Sequence, residues 1–155
     1  MTKKVIINDA FFLTKGFSIS ADKSLLNLNY TYEFLTQQSY WAKNLPFDKF
    51  QTSIENSTCF GVYHHQKQIG FARVISDNST FAYLADVFID TNYRKQSLSK
   101  WLLQSILKHP NYTGLRRWLL ATADAHGLYQ QFGFESLNQP ERFMQLFKPY
   151  PAKLN

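Results

Sequence analysis

The sequence predicts a single domain of mixed α/β class, a sheet with helices packed on it. Three observations predict this. Apolar spacing is helical over residues 28–55, turns strand-like from 57 to 89, and returns to helical at 97. A strand, a helix and a further strand then follow in "STFAYLADVFID", "SLSKWLLQSILKH" and "GLRRWLLAT", the order of a crossover between parallel strands. Finally, 45% of the 155 residues are apolar and 17% aromatic, enough for a chain of this length to bury its own core.

The elements can be justified in order. "FSIS" (17–20) is a short strand. "NLNYTYEFLTQQSYW" places Leu28, Tyr32 and Leu35 at helical spacing. "FDKFQTSIENS" starts a second helix after Pro46, with Phe47, Phe50 and Ile54 on one side. "STCFGVYHH" and "KQIGFARVIS" are two strands around a polar turn near Gln66. Asp77–Asn78 makes the next turn, and the strand over 80–89 is apolar on both faces, as a central strand should be. From 97 to 109, Leu98, Trp101, Leu102, Ser105 and Ile106 keep the helical period until Pro110 stops it. A strand is predicted over 115–121. "DAHGLYQQFGF" is a short helix capped by Asp124 and ended at Gly133, and "RFMQLFK" (142–148) is a last strand.

Composition limits the function classes. The net charge is +6, from seventeen basic and eleven acidic residues. The basic residues pair only as Lys3–Lys4, Arg94–Lys95 and Arg116–Arg117 and form no basic helix or stripe, so a nucleic-acid partner is not expected. No apolar run approaches the roughly 20 residues that cross a bilayer, and Asn8 and Asp9 interrupt the apolar start, so neither a membrane span nor a signal peptide is expected. With Cys59 alone no intramolecular disulfide can form, which fits a cytoplasmic protein. His64 and His65 face opposite sides of a strand, and no metal site is expected there.

The turn "YRKQSLS" (93–99) lies after a central strand and before a helix amino terminus. Sheets of this class bind ligands there, and helix N–H groups there point at anions. The chain resembles the GCN5-related N-acetyltransferase family in two segments: "LADVFIDTNYRKQSLSKWLL", similar to that family's acetyl-CoA motif, and "DAHGLYQQFGF", similar to its last-helix signature. The likeness covers about residues 17–148. It implies one mixed, mostly antiparallel sheet with a splayed parallel strand pair. It also implies acetyl-CoA as co-substrate, no metal, an amine acceptor and direct attack without a covalent enzyme intermediate. The alternative is a non-catalytic acyl-CoA-binding module. Oligomeric state is not legible, and a homodimer stays open.

The resemblance also implies roles for residues. Val87, Phe88 and Ile89 would present their backbone to the pantetheine arm. Arg94, Lys95, Gln96, Ser97, Leu98 and Ser99 would hold the pyrophosphate. Ser97 and Ser99 stand where the family has glycine, and glycine or alanine; serine is small and can donate to phosphate or cap the helix, but a positive φ would strain it. Tyr129 is the candidate general acid for the leaving thiolate, or else a core aromatic beside the stripe Ala125, Leu128 and Phe132. Some members carry a glutamate base where this chain has Ala85. Asp86 is then the candidate replacement, alone or through water, or instead bonds to backbone or to an arginine. Glu33 is a more distant possibility. Gly127 suggests a close approach by cofactor or chain. Tyr40, Trp41 and Trp118 could line an amine pocket, since aromatic faces attract cations.

Overall fold

The structure is a computed structural model that describes residues 5–153; the Lys3–Lys4 pair and the extreme ends lie outside the described residues. Five strands form one sheet: β1 (Phe17–Ser20), β2 (Thr58–His64), β3 (Lys67–Ser76), β4 (Phe81–Ile89) and β5 (Arg117–Leu119), in that spatial order. The first three junctions are antiparallel and β4–β5 is parallel, joined through helix α4. In chain order the helices are α1 (Asp9–Thr14), α2 (Leu28–Gln37), α3 (Phe47–Glu55), α4 (Leu98–Leu107) and α5 (His126–Gln130). The mixed, mostly antiparallel sheet with one parallel pair is the architecture expected from the sequence.

Two cores lie on opposite faces of the sheet. On one face Val62, Ile69, Ala72, Val74, Ala82, Leu84 and Ile89 pack against Leu98, Trp101, Leu102 and Ile106 of α4. On the other, Phe71, Phe88 and Cys59 meet Phe34 and Leu35 of α2 and Phe50 and Ile54 of α3. The phase of β4 is informative. Ala82 and Leu84 face α4, so a regular strand would send residue 88 the same way. Phe88 instead stacks on Phe34 at 3.8 Å, and Ile89 returns to the α4 face. The slip occurs where Arg73 pairs with Ala85 and Phe71 with Phe88, so that two residues of β4, Asp86 and Val87, oppose Ala72 alone. Asp86 has φ +57, the left-handed first position of a bulge that glycine normally fills.

Four departures from the sequence reading have physical causes. Helix α1 was not expected; Asn8 caps it by accepting from the Ala10 N–H, Phe12 stacks on Trp101 at 4.6 Å, and Asp9 accepts from the Trp101 indole N–H at 2.7 Å. Strand β5 is three residues long, because its ladder ends at the pair Tyr83–Leu119 and the two strands then diverge. Asp124 does not cap α5: Thr122 Oγ1 takes the Ala125 N–H at 3.1 Å, and Asp124 is exposed. The predicted last strand is irregular chain; after α5 the chain stands off β5 across a groove lined by both, so "RFMQLFK" joins no ladder and Met144 is 98% exposed. Gly133, by contrast, has φ +92 as its place after α5 requires.

Several buried tyrosines make stability depend on alkaline pH. Burial pushes both Tyr63 and Tyr129 up from the ordinary 10 to about 12, and raises Tyr30 and Tyr112 as well. Their contribution is complete below pH about 10. Above it the unfolded chain releases phenolic protons while the native one holds them, so ΔG of unfolding falls from about pH 10 to about pH 12. Urea midpoints taken across this window alongside tyrosinate absorbance should show the native fold losing stability before these four tyrosines ionise.

Candidate active site

Beyond Tyr83 no ladder joins β4 to β5, so β4 from Leu84 to Ile89 has an open edge on that side. A cavity of about 480 Å³ occupies this splay, within the range of roughly 300–1,000 Å³ usual for ligand sites. Val87, Phe88 and Ile89 form one wall, and Leu128 and Tyr129 of α5 lie across from them. Phe34 of α2 and Gln38 just after it, with Tyr40 and Trp41, close one side. Arg94, Lys95, Ser97, Leu98 and Ser99 form the end at α4. The two segments singled out in the sequence, far apart in the chain, therefore meet in one cavity. A larger groove of about 970 Å³ follows β5 and residues 132–143 but contains neither Tyr129 nor the 94–99 turn.

The turn is shaped for an anion. Lys95 and Ser97 both have φ +62, and paired left-handed residues of this kind gather successive N–H groups into an anion-binding concavity. Ser97 occupies the N-cap position of α4 with no side-chain cap, and the first turn carries no acidic residue. The first N–H groups of α4 and its positive dipole end are thus left to a ligand. Arg94 reaches back with Nε 3.4 Å from the Ile89 carbonyl, tying the turn to β4. Leu98 is 2% exposed, so only its backbone can serve the site. Gln96 is exposed and absent from the lining, unlike its neighbours.

Ser97 is therefore strained, as its glycine-like position suggested. Replacing it with glycine is expected to raise stability by up to about 1 kcal/mol, readable as a shift of the urea midpoint. Affinity for acetyl-CoA should hold or improve. A drop beyond tenfold, about 1.4 kcal/mol, would identify the Ser97 hydroxyl as a phosphate ligand in its own right.

Tyr129 is the most buried residue of α5, 8% exposed, while Ala125, Leu128 and Phe132 are only half-buried. The stripe expected from the sequence is thus centred on Tyr129 itself, whose ring meets Phe134 edge-on at 5.9 Å. Burial, then Tyr40 and Asp124, push its hydroxyl up to about 12. At neutral pH it keeps its proton in the cavity. Gly127 is exposed, and a Cβ there would meet nothing within 4 Å, so no neighbouring chain explains this glycine.

Asp86 has met an arginine, the partner named in the sequence as the alternative to a base role. Arg73 Nε donates to Oδ2 at 2.9 Å and the Trp41 indole N–H to Oδ1 at 3.0 Å. Arg73 also donates to Ser57 Oγ at 3.2 Å. Arg73 was missed in the sequence. A carboxylate in a strand apolar on both faces demands a cationic partner, but only the register at the bulge reveals which one. Trp118 packs on Tyr112 at 5.2 Å on the α4 side, away from the cavity. Glu33 does not line the cavity either. Among the described residues no group of three or more His, Cys, Asp or Glu could hold a metal, and no helix is long and apolar enough to cross a membrane.

The comparisons with known proteins agree with this geometry. The Acetyltransferase (GNAT) family model matches residues 24–134, which include α2, the whole β2–β5 sheet and α5. A crystal structure of a GNAT-family protein from Xanthomonas campestris pv. campestris is 42% identical, with a TM-score of 0.84, over 86% of this chain and 94% of its own. A candidate acetyltransferase of Gibberella zeae is 28% identical over 137 residues, covering 75% of this chain and 77% of that protein. A Clostridium acetobutylicum structure described as an acetyltransferase with acetyl-CoA shares the fold at 12% identity and a TM-score of 0.63, over 84% of this chain and 94% of its own. By its sequence, its splayed sheet and these relatives, the chain belongs to the GNAT acetyltransferase family.

Proposed function

We propose that the protein moves an acetyl group from acetyl-CoA to an acceptor amine. The observation that carries this reading is one cavity holding three things: the open edge of β4, the anion-shaped turn at α4 and the protonated Tyr129. Backbone groups of Val87 to Ile89 pair with the amide-bearing arm of the substrate as an added strand would. The N–H groups from Lys95 to Ser99, with the charge of Arg94, hold the pyrophosphate. The acceptor nitrogen attacks the thioester carbonyl carbon, the C–S bond breaks, and Tyr129 gives its proton to the departing sulfur. The proton lost by the acceptor goes to solvent. Asp86, with both oxygens already accepting from Trp41 and Arg73, anchors these two side chains and does not serve as the base. A cytoplasmic location goes with this reading.

The test is to mix the protein with acetyl-CoA and a broad set of amines and follow free thiol. Amine-dependent thiol release that Ser97 and Tyr129 variants alter supports acetyl transfer. Binding of acetyl-CoA by calorimetry without release for any amine would favour the non-catalytic module, to which the burial of Tyr129 among core aromatics lends some weight. No binding at millimolar acetyl-CoA would sink both.

A further inference from the structure

The loop between α2 and α3 spans the mouth of the splay. Two adjacent residues anchor it, one to each wall. Tyr40 Oη accepts from the Ala123 N–H at 2.7 Å, on the segment that leads from β5 into α5. The Trp41 indole N–H donates to Asp86 Oδ1 at 3.0 Å, on β4. Their polar tips are thus used, yet their rings stay half exposed, Tyr40 at 50% and Trp41 at 44%. The rings meet at 84° with centroids 5.0 Å apart, and both line the cavity that holds Tyr129. Large aromatics fixed at their tips and open on their faces are unusual for a loop whose only task is to cover a core.

The charges of the cavity are segregated. Arg94 and Lys95 stand at the α4 end; Asp124 is the only acidic residue of the lining, and it stands at the start of α5. Tyr40 bonds to Ala123, the residue before Asp124, so Tyr40 and Asp124 mark the same end of the cavity. The edge of the indole is held by the Asp86 carboxylate, whose charge Arg73 pairs. One end therefore suits an anion, and the other offers two aromatic faces and a rim carboxylate. An ammonium gains from the aromatic faces and from Asp124, while an acceptor with a carboxylate beside its amine meets repulsion from Asp124.

We infer that Tyr40, Trp41 and Asp124 form the acceptor subsite and that it selects cationic amines without a neighbouring carboxylate, such as alkyl diamines and polyamines, over free amino acids. This rests on the acetyl-transfer reading. The site both binds the acceptor and aims it, since the loop fixes the rings against the two walls that also carry the open strand edge and Tyr129.

The experiment compares cadaverine and spermidine with glycine and glutamate as acceptors, in the parent protein and in Trp41→Ala and Asp124→Asn. Asp124 is exposed, so its variant keeps the test readable should Trp41→Ala fold poorly. The expected result is a kcat/KM at least about tenfold higher for the diamine and polyamine than for the amino acids. Each variant should raise the KM of the cationic acceptors about tenfold with acetyl-CoA affinity unchanged, while the amino-acid KM stays the same in Trp41→Ala and falls in Asp124→Asn. Amino acids used as well as diamines, or a preference that survives both substitutions, would overturn the inference. Failure of acetyl transfer is read separately. If no amine releases thiol, calorimetry of cadaverine into CoA-saturated protein decides the subsite: binding weakened in Trp41→Ala and Asp124→Asn supports it, and no binding removes it.

Discussion

Tyr129→Phe is expected to lower kcat by roughly 10²–10⁴-fold with an acceptor that supports turnover, the loss typical of a missing general acid. The substitution removes only the hydroxyl. The ring should keep its edge contact with Phe134, and the helix its place over the sheet. Acetyl-CoA affinity should change far less, because the hydroxyl matters chiefly as charge develops on the sulfur. Stability gives the control. A hydroxyl held protonated by burial, with no hydrogen bond among the causes of its raised pKa, costs little to delete. Thermal melts should therefore show Tyr129→Phe as stable as the parent or slightly more so, and less sensitive to pH above about 10. Near-normal turnover in a folded Tyr129→Phe protein would return Tyr129 to a packing role. The motif-matched tyrosine would then be a core residue that happens to border the cavity.

Much of this site was legible in the sequence because its parts are local. The 94–99 turn and α5 are short segments whose spacing names their position after a strand and before or within a helix. The strain at Ser97 was foreseeable too, since a serine in a glycine place must carry the left-handed φ that the turn demands. What stayed hidden depends on register and on loops. Alternation in "FAYLADVFI" places Asp86 and Ala85 on opposite faces, yet the bulge shifts the phase and turns Asp86 onto Arg73, which pairs with Ala85. Nothing in a single strand announces a bulge when its first residue is aspartate and not glycine. The reach of Tyr40 to Ala123 joins residues 83 apart through a loop without periodicity. "RFMQLFK" failed for the opposite reason: its pattern suits a strand, but a strand exists only where the chain is brought against an edge, and here residues 132–143 stand off β5 across a groove.

Arg73→Leu is expected to be the most destabilising of these substitutions, by about 2–4 kcal/mol. The Arg73 and Asp86 side chains are 16% and 12% exposed, so water screens the pair only in part. Leucine preserves bulk on β3 but strands the Asp86 carboxylate with the indole N–H as its one named donor. It also removes the force that holds Asp86 at φ +57, a conformation that itself costs about 1–2 kcal/mol for a residue with a Cβ. Both penalties reside in Asp86, which makes a rescue predictable. Arg73→Leu with Asp86→Gly deletes the orphan charge and puts the favoured residue at the left-handed bulge position, so it should recover most of the lost stability. Urea titrations of the two single variants and the double variant give the coupling directly. A double variant no more stable than Arg73→Leu would show that the damage lies in lost packing or in the Ser57 contact, not in the unpaired carboxylate. In the rescued protein the bulge persists, so acetyl-CoA should still bind along β4. The Trp41 ring, however, has lost the carboxylate that anchored its indole N–H. Cationic acceptors should then show a raised KM on a stable fold, which separates what Asp86 does for the sheet from what it does for the substrate.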